Sequence, residues 1–230
     1  MTISPASSAS DELLERVRAN LASVRDRIER SGRDARSVRV VAVTKTFDVT
    51  HVAAALALGL TSIGENYVDE LCEKRRAMSA FTASWHFLGP LQSNKITRAV
   101  RCADVLSSVA RVKELEKIAA LSPGQVIDVQ VDFGDDPGRN GVAPGDVGEI
   151  VRRARALELQ VRGLMVVAPQ GEKATRQAFL ATNALAEEWD LRERSMGMSD
   201  DLELACELGT TEVRLGRALF GPRSSEGRLA

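Results

Sequence analysis

Aromatic residues are scarce in this chain, 4% of 230, with one tyrosine and two tryptophans. A surface that stacks nucleic-acid bases needs more. A surplus of one charge is also missing: 31 Lys and Arg stand against 32 Asp and Glu, a formal net charge of −1. No broad field therefore draws in nucleic acid or anionic lipid. No apolar run approaches the roughly 20 residues of a membrane-spanning helix. The opening MTISPASSASDELLERV lacks a basic segment followed by an apolar one, so no signal peptide is expected. The three cysteines, Cys72, Cys102 and Cys206, lie far apart with no CxxC, and histidine is limited to His51 and His86. That supplies a Cys/His zinc site poorly. Each cysteine is expected to be a small buried hydrophobe, and the protein to sit in a reducing cytoplasm.

What is present is an ordinary globular composition, 44% hydrophobic and 27% charged. Residues 1–10 are rich in Ser and Ala and are expected to be disordered. Ser10 then caps a long amphipathic helix, with Leu13, Leu14, Val17, Leu21, Val24 and Ile28 at helical spacing and Gly32 beyond its end. Eight strand-like segments follow, at 38–44, 60–64, 84–89, 103–108, 125–133, 159–167, 191–198 and 211–216, alternating with helical stretches. The seventh is the weakest, because LRERSMGM begins polar. Strand–helix alternation implies parallel pairing through right-handed crossovers. Eight such units in this length, with no linker, predict one (β/α)8 barrel domain over 11–230, and a doubly wound open sheet is the structural rival.

In such a barrel, function gathers at the carboxyl ends of the strands. The first strand, VRVVAVTK, ends in Lys45. A lysine there either snorkels to water or, walled by apolar groups, becomes a nucleophilic amine for Schiff-base chemistry. Its carbonyl partner would be a substrate, as in an aldolase, or the aldehyde of pyridoxal phosphate. The last third of the chain carries two small-residue loops, one with Ser195, Gly197 and Ser199, the other with Gly216 opening RALFG. Backbone amides at a helix start with serine hydroxyls beside them make an anion site. Strands one and eight are neighbours in a closed barrel, so lysine and anion site would share one mouth. Arg214 closes the eighth strand and points either into that mouth or into an ion pair. Beside a pyridine nitrogen, a guanidinium accepts no proton and leaves the ring a weak electron sink. Asn66 either donates to a ring substituent or caps the next helix. His86, Gln92, Asn94 and Lys95 lie close in sequence, as a second polar cluster or as a plain loop with a cap.

The segments AVTKT, IGENYVDE, WHFLGPLQSNK, GLMVVAP and SMGMSDDLELACELGTTEVRLGRALFG resemble the pyridoxal phosphate homeostasis proteins, a single-domain alanine racemase-like family, over about 16–221. The resemblance implies a barrel of the alanine racemase N-terminal type with an extra N-terminal helix, and pyridoxal phosphate as a Schiff base on Lys45. It implies that Asn66 lies near the ring, that Arg214 faces the pyridine nitrogen, and that Ser195 or Ser199, with the Thr211 and Gly216 loop, holds the phosphate. The sequence alone does not choose between the two serines; in the alanine racemase barrel that the resemblance points to, the phosphate serine lies fifteen residues before the arginine, a spacing that Ser199 fits. It also implies a monomer and a role in vitamin B6 pools without strong catalytic turnover. The chain departs from the family at Arg139 and Asn140, where relatives often carry a lysine-containing run, and at Thr44 and Phe47. Racemisation needs a second acid/base opposite the lysine. The single tyrosine, Tyr67, sits one residue after Asn66, and no sequence for a second domain is expected after Gly221. A weak racemase is therefore the alternative, and pyridoxal phosphate-dependent apo-enzymes are the implied recipients of cofactor from an open mouth.

Overall fold

In the computed structural model, described over residues 9–134 and 140–222, eight parallel strands close into a barrel in the order of the sequence. The strands are β1 Arg39–Val43, β2 Ser62–Glu65, β3 Ser84–Phe87 and β4 Val105–Val109, then β5 Val126–Val131, β6 Gln160–Val166, β7 Glu193–Ser195 and β8 Glu212–Leu215. Six fall within the expected segments, β2 and β4 each run one residue past theirs, to Glu65 and Val109, and β7 is the shortest, as its polar start implies. The barrel closes by pairing β1 with β8 in parallel, with Val41 opposite Arg214. The open-sheet rival is excluded by that pairing.

The helices between strands are α2 Val49–Ala57, α3 Val68–Ala77, α4 Ile96–Cys102, α5 Val112–Leu121, α6 Val147–Ala156, α7 Glu172–Glu188 and α8 Leu202–Glu207. The four-residue α9 Arg217–Phe220 follows β8. Ahead of them all runs α1 Asp11–Arg30, whose Leu13, Val17, Leu21, Val24 and Ile28 are buried. Ser10 caps it, its hydroxyl accepting the Leu13 amide at 3.2 Å. Residues 1–8 of the segment expected to be disordered lie outside the described residues, as do 223–230 and Arg139. α1 packs on α2, α8 and α9. Its Arg27 pairs with Glu203 at 2.6 Å and donates to the Ser199 carbonyl at 2.9 Å, tying the helix to the loop after β7. No helix among the described residues is long and apolar enough to cross a membrane.

The apolar core is an annulus between barrel and helices. Outward strand residues such as Ala42, Ile63, Phe87, Leu106, Leu164 and Val213 are buried there against the helix faces. Side chains alternate along a strand, so their neighbours turn inward. The interior is polar: His86, Asp128, Gln130, Ser195, Glu212 and Arg214 are all buried. At its amino end Arg162 makes two hydrogen bonds to Asp128, at 2.9 and 2.6 Å, and reaches Glu212 at 3.1 Å, which Arg39 also meets at 3.2 Å. Burial works to raise the Glu212 pKa, but Arg162, His86, a hydrogen bond from Ser195 and Arg39 hold it down at about 2. Buried carboxylates persist only when paired in this way.

The cysteine expectation is corrected for two of the three. Cys206 is buried and free, but Cys72 on α3 and Cys102 at the end of α4 form a disulfide. Thirty residues apart in sequence, they meet because consecutive helices of the ring are neighbours. Cross-linking a loop of this length stabilises the fold by about 3–4 kcal/mol in the chain-entropy account. A reducing compartment thereby loses the support that three unpaired cysteines gave it.

Candidate functional site

At the carboxyl end of the strands lies a cavity of about 250 Å³. Its wall includes Lys45, Asn66, Ser199, Arg214 and Gly216 from the expected set. They reach it from different parts of the chain: Lys45 two residues past β1, Asn66 just past β2, Ser199 from the loop after β7, and Arg214 and Gly216 from β8 and its end. Parallel strands deliver all their following loops to one end, which is why residues so distant in sequence converge. Lys45 is half-buried. Phe47, Leu88, Met165, Val167 and Met198 supply an apolar lining.

Arg214 is 6% exposed and forms the floor. Its Nη1 donates to the Ser195 carbonyl at 2.6 Å and to Ser195 Oγ at 2.9 Å, and its Nη2 to the Val166 carbonyl at 2.6 Å. Among the described residues, the ion-pair alternative is not realised as a direct contact. Burial lowers the guanidinium pKa, while Glu212, Asp201 and Asp128 oppose that shift. Ser195 is thus committed to the barrel interior, its hydroxyl and its carbonyl both accepting from Arg214. Ser199 is placed differently: its Oγ accepts the Ala218 amide at 3.2 Å, at the start of α9. Hydroxyl and helix start therefore sit side by side at the rim. Gly216 passes close to β1, where a Cβ would lie 3.2 Å from the Val43 carbonyl oxygen. Arg217 and Asp200, paired at 2.6 Å, also border the mouth.

Thr211 is not brought to this site. It precedes β8, and its Oγ1 donates to Glu193 at 2.8 Å while accepting the Arg194 amide at 2.8 Å. The four residues of β8 separate it from Gly216, and five steps of about 3.3 Å put them roughly 16 Å apart along the strand. Asn66 does line the mouth; the α3 cap position belongs to Tyr67 instead. Gly89 presses on the Asn66 carbonyl, where any Cβ would collide, and so fixes the backbone of that turn. His86 separates from Gln92, Asn94 and Lys95: it is 1% exposed inside the barrel, its Nε2 3.2 Å from Ser84 Oγ and its Nδ1 without a partner among the described residues. Burial lowers its pKa, and Arg162 adds to that. Asn140 donates to the Ser108 carbonyl and to Gln130 Oε1, both at 2.9 Å, bracing the loop after β5. An adjoining hollow of about 650 Å³ holds Asp200, Glu203 and Glu207, each already paired with an arginine.

A parallel eight-stranded barrel with a lysine past its first strand and an arginine on its last defines an alanine racemase-type barrel, and the family model "Alanine racemase, N-terminal domain" matches residues 14–224. Within that class the chain belongs to the pyridoxal phosphate homeostasis proteins. A relative of that name from Deinococcus radiodurans is 39% identical over 209 residues, covering 89% of this chain and 99% of its own. The same name is carried by an Escherichia coli K12 protein 34% identical over 224 residues, covering 89% and 95%. The structure of PipY from Synechococcus elongatus with PLP bound superposes with a TM-score of 0.77 at 34% identity, over 89% of this chain and all of that one.

Proposed function

We propose that this protein binds pyridoxal 5′-phosphate as a Schiff base on Lys45 and serves the homeostasis of that cofactor, with little catalytic turnover of its own. The observation that carries the reading is the meeting of Lys45, the Ser199–α9 turn and Arg214 around one cavity. The donor set fits the group: an amine for the aldehyde, a hydroxyl beside a helix start for the phosphate, and a guanidinium that cannot take a proton for the ring nitrogen. Bound there, the cofactor supplies an electrophilic aldehyde carbon and a conjugated ring. Lys45 would hold it, Ser199 and the start of the α9 turn would take the phosphate, Asn66 would lie toward the ring, and the apolar wall would limit water around the amine. Ser195 acts beneath, orienting Arg214. The names of the relatives and the cofactor in PipY support this reading.

Racemisation is the weaker reading. Besides Lys45 and Arg214, the titratable groups on the wall are Asp200 and Arg217, which are paired with each other at the exposed rim. Tyr67 is 53% exposed and outside the cavity. A second proton donor opposite the lysine is not among the wall residues described. The same open mouth suits exchange of cofactor with apo-enzymes, and we take the protein to be a cytoplasmic monomer.

The test is spectroscopic. Protein loaded with the cofactor should absorb at roughly 420 nm, and borohydride should fix the cofactor to Lys45. Lys45→Ala should abolish both. Retention of the yellow colour by Lys45→Ala after dialysis would refute the assignment. Rapid D-amino-acid formation across a substrate panel would refute the carrier role.

A further inference from the structure

The far side of β1, facing the helices, carries an ion cluster that the cofactor reading does not use. Lys74 on α3 is 5% exposed. Its Nζ donates to the Thr44 carbonyl, to Glu65 Oε1 and to Glu70 Oε2, each at 2.7 Å. The same Glu70 oxygen accepts the Thr46 amide at 2.9 Å. Thr44 Oγ1 donates to Glu65 Oε1 at 2.5 Å. Thr44 and Thr46 flank Lys45. Both neighbours of the lysine are therefore tied, through backbone groups, to one triad, buried at Glu65 and Lys74 and half-buried at Glu70.

Three features say that the triad is there for position. An ion pair with a fully buried carboxylate is a poor source of stability, because desolvation consumes most of the attraction. Glu65 is such a group, and its Oε2 has no hydrogen-bond partner among the described residues. Burial pushes its pKa up, against the pull of Lys74. Thr46 adopts φ of +66°, a left-handed conformation that a β-branched residue rarely takes. Its amide is held by Glu70 while in that conformation. Strained backbone persists where the surroundings over-determine it, and here it directly follows the residue whose direction matters. None of Glu65, Glu70 and Lys74 lines the mouth cavity, so the triad acts through the backbone alone.

We propose that Glu65, Lys74 and Glu70 are positioning residues for Lys45. They fix the peptide groups on either side of it and so aim its amine into the cavity. The proposal rests on the reading that Lys45 bonds a phosphorylated aldehyde. In that step the amine nitrogen bonds to the aldehyde carbon and the carbonyl oxygen leaves as water, with no redox change.

The experiment compares two ligands on Lys74→Met and Glu70→Ala. Pyridoxal 5′-phosphate reports capture by the amine. Pyridoxine 5′-phosphate, with an alcohol in place of the aldehyde, reports the phosphate and ring contacts alone. Misaiming a reacting group by about 1 Å costs on the order of 100-fold, so the rate of pyridoxal phosphate capture should fall by about that factor in Lys74→Met. Pyridoxine phosphate affinity should stay where it is in the wild type. Glu70 is half-buried, so Glu70→Ala preserves the fold if Lys74→Met does not, and it should slow capture in the same selective way. Unchanged capture in a folded variant overturns the proposal. So does a parallel fall with both ligands, which is the mark of a general loss of structure. If the wild type itself shows no Lys45-dependent absorbance, the cofactor reading fails. If it does and the variants capture equally fast, the positioning role alone fails.

Discussion

Arg214 is the residue whose loss should be felt in both stability and spectrum. Arg214→Met keeps a long apolar stem but removes the donors to the Ser195 and Val166 carbonyls and to Ser195 Oγ. Each buried acceptor left without a partner costs about 1–3 kcal/mol. Two carbonyls set the expected loss at about 2–6 kcal/mol. The variant recovers some of this, because the buried guanidinium no longer has to be desolvated, the same penalty that lowers its pKa. A net loss of about 2–4 kcal/mol remains, and for a chain of this size each kcal/mol moves Tm by about 2–4 °C. Thermal unfolding of the apo protein should therefore show a drop on the order of 10 °C. The second signal is independent of stability. Bound cofactor should change its visible absorbance in Arg214→Met, because a non-ionised neighbour no longer holds the ring nitrogen unprotonated. A variant with wild-type Tm would mean that the carbonyls have other donors. A variant with a wild-type spectrum would mean that Arg214 does not face the ring. Either result breaks the corresponding half of the reasoning.

The phosphate assignment predicts a split between two hydroxyls: Ser199→Ala should weaken pyridoxine 5′-phosphate binding by about tenfold, the worth of one hydrogen bond to a charged group, as read by calorimetry. Thr211→Ala should leave that affinity unchanged while lowering Tm, since its contacts are to Glu193 and Arg194; equal loss of affinity in both would refute the placement. The Glu212 carboxyl, held at about 2 against an ordinary 4.5, contributes stability that is complete above pH 4.5 and is lost as the pH falls toward 2. That contribution is on the order of 3 kcal/mol, so denaturant titrations should show a steep acid loss that flattens in Glu212→Gln. An equally steep loss in the variant would assign the acid sensitivity elsewhere.

The barrel was legible because its signals are local. Most of the strands lie in short, largely apolar segments bounded by turn residues, β7 being the polar exception, and Ser10 before an amphipathic stretch is a local cap. The mouth residues Lys45, Asn66 and Arg214 were legible because they end strands, and topology alone then brings the ends together. Thr211 misled because it belongs to the same run of sequence as Gly216, yet a strand lies between them and carries them to opposite ends. Ser195 and Ser199 were indistinguishable by type; only the turn at Gly197 separates a hydroxyl under Arg214 from one at the α9 start. The Cys72–Cys102 bond and the Glu65–Lys74 cluster left no trace in periodicity. Both depend on which faces of neighbouring elements meet, and a spacing of thirty or of nine residues says nothing about that.

The strand that carries Lys45 and the strand that carries Arg214 are the first and last of the barrel, and they are hydrogen-bonded to each other. The ligand would therefore straddle the seam where the sheet joins itself. During synthesis the amine emerges early, but the floor and the phosphate turn arrive only with the final strand. Completing the ring and completing the site are one event. On the proposed site, a chain that holds the cofactor tightly would thus be one that has finished folding, and the cofactor in turn would act as a clasp against the barrel reopening along that join.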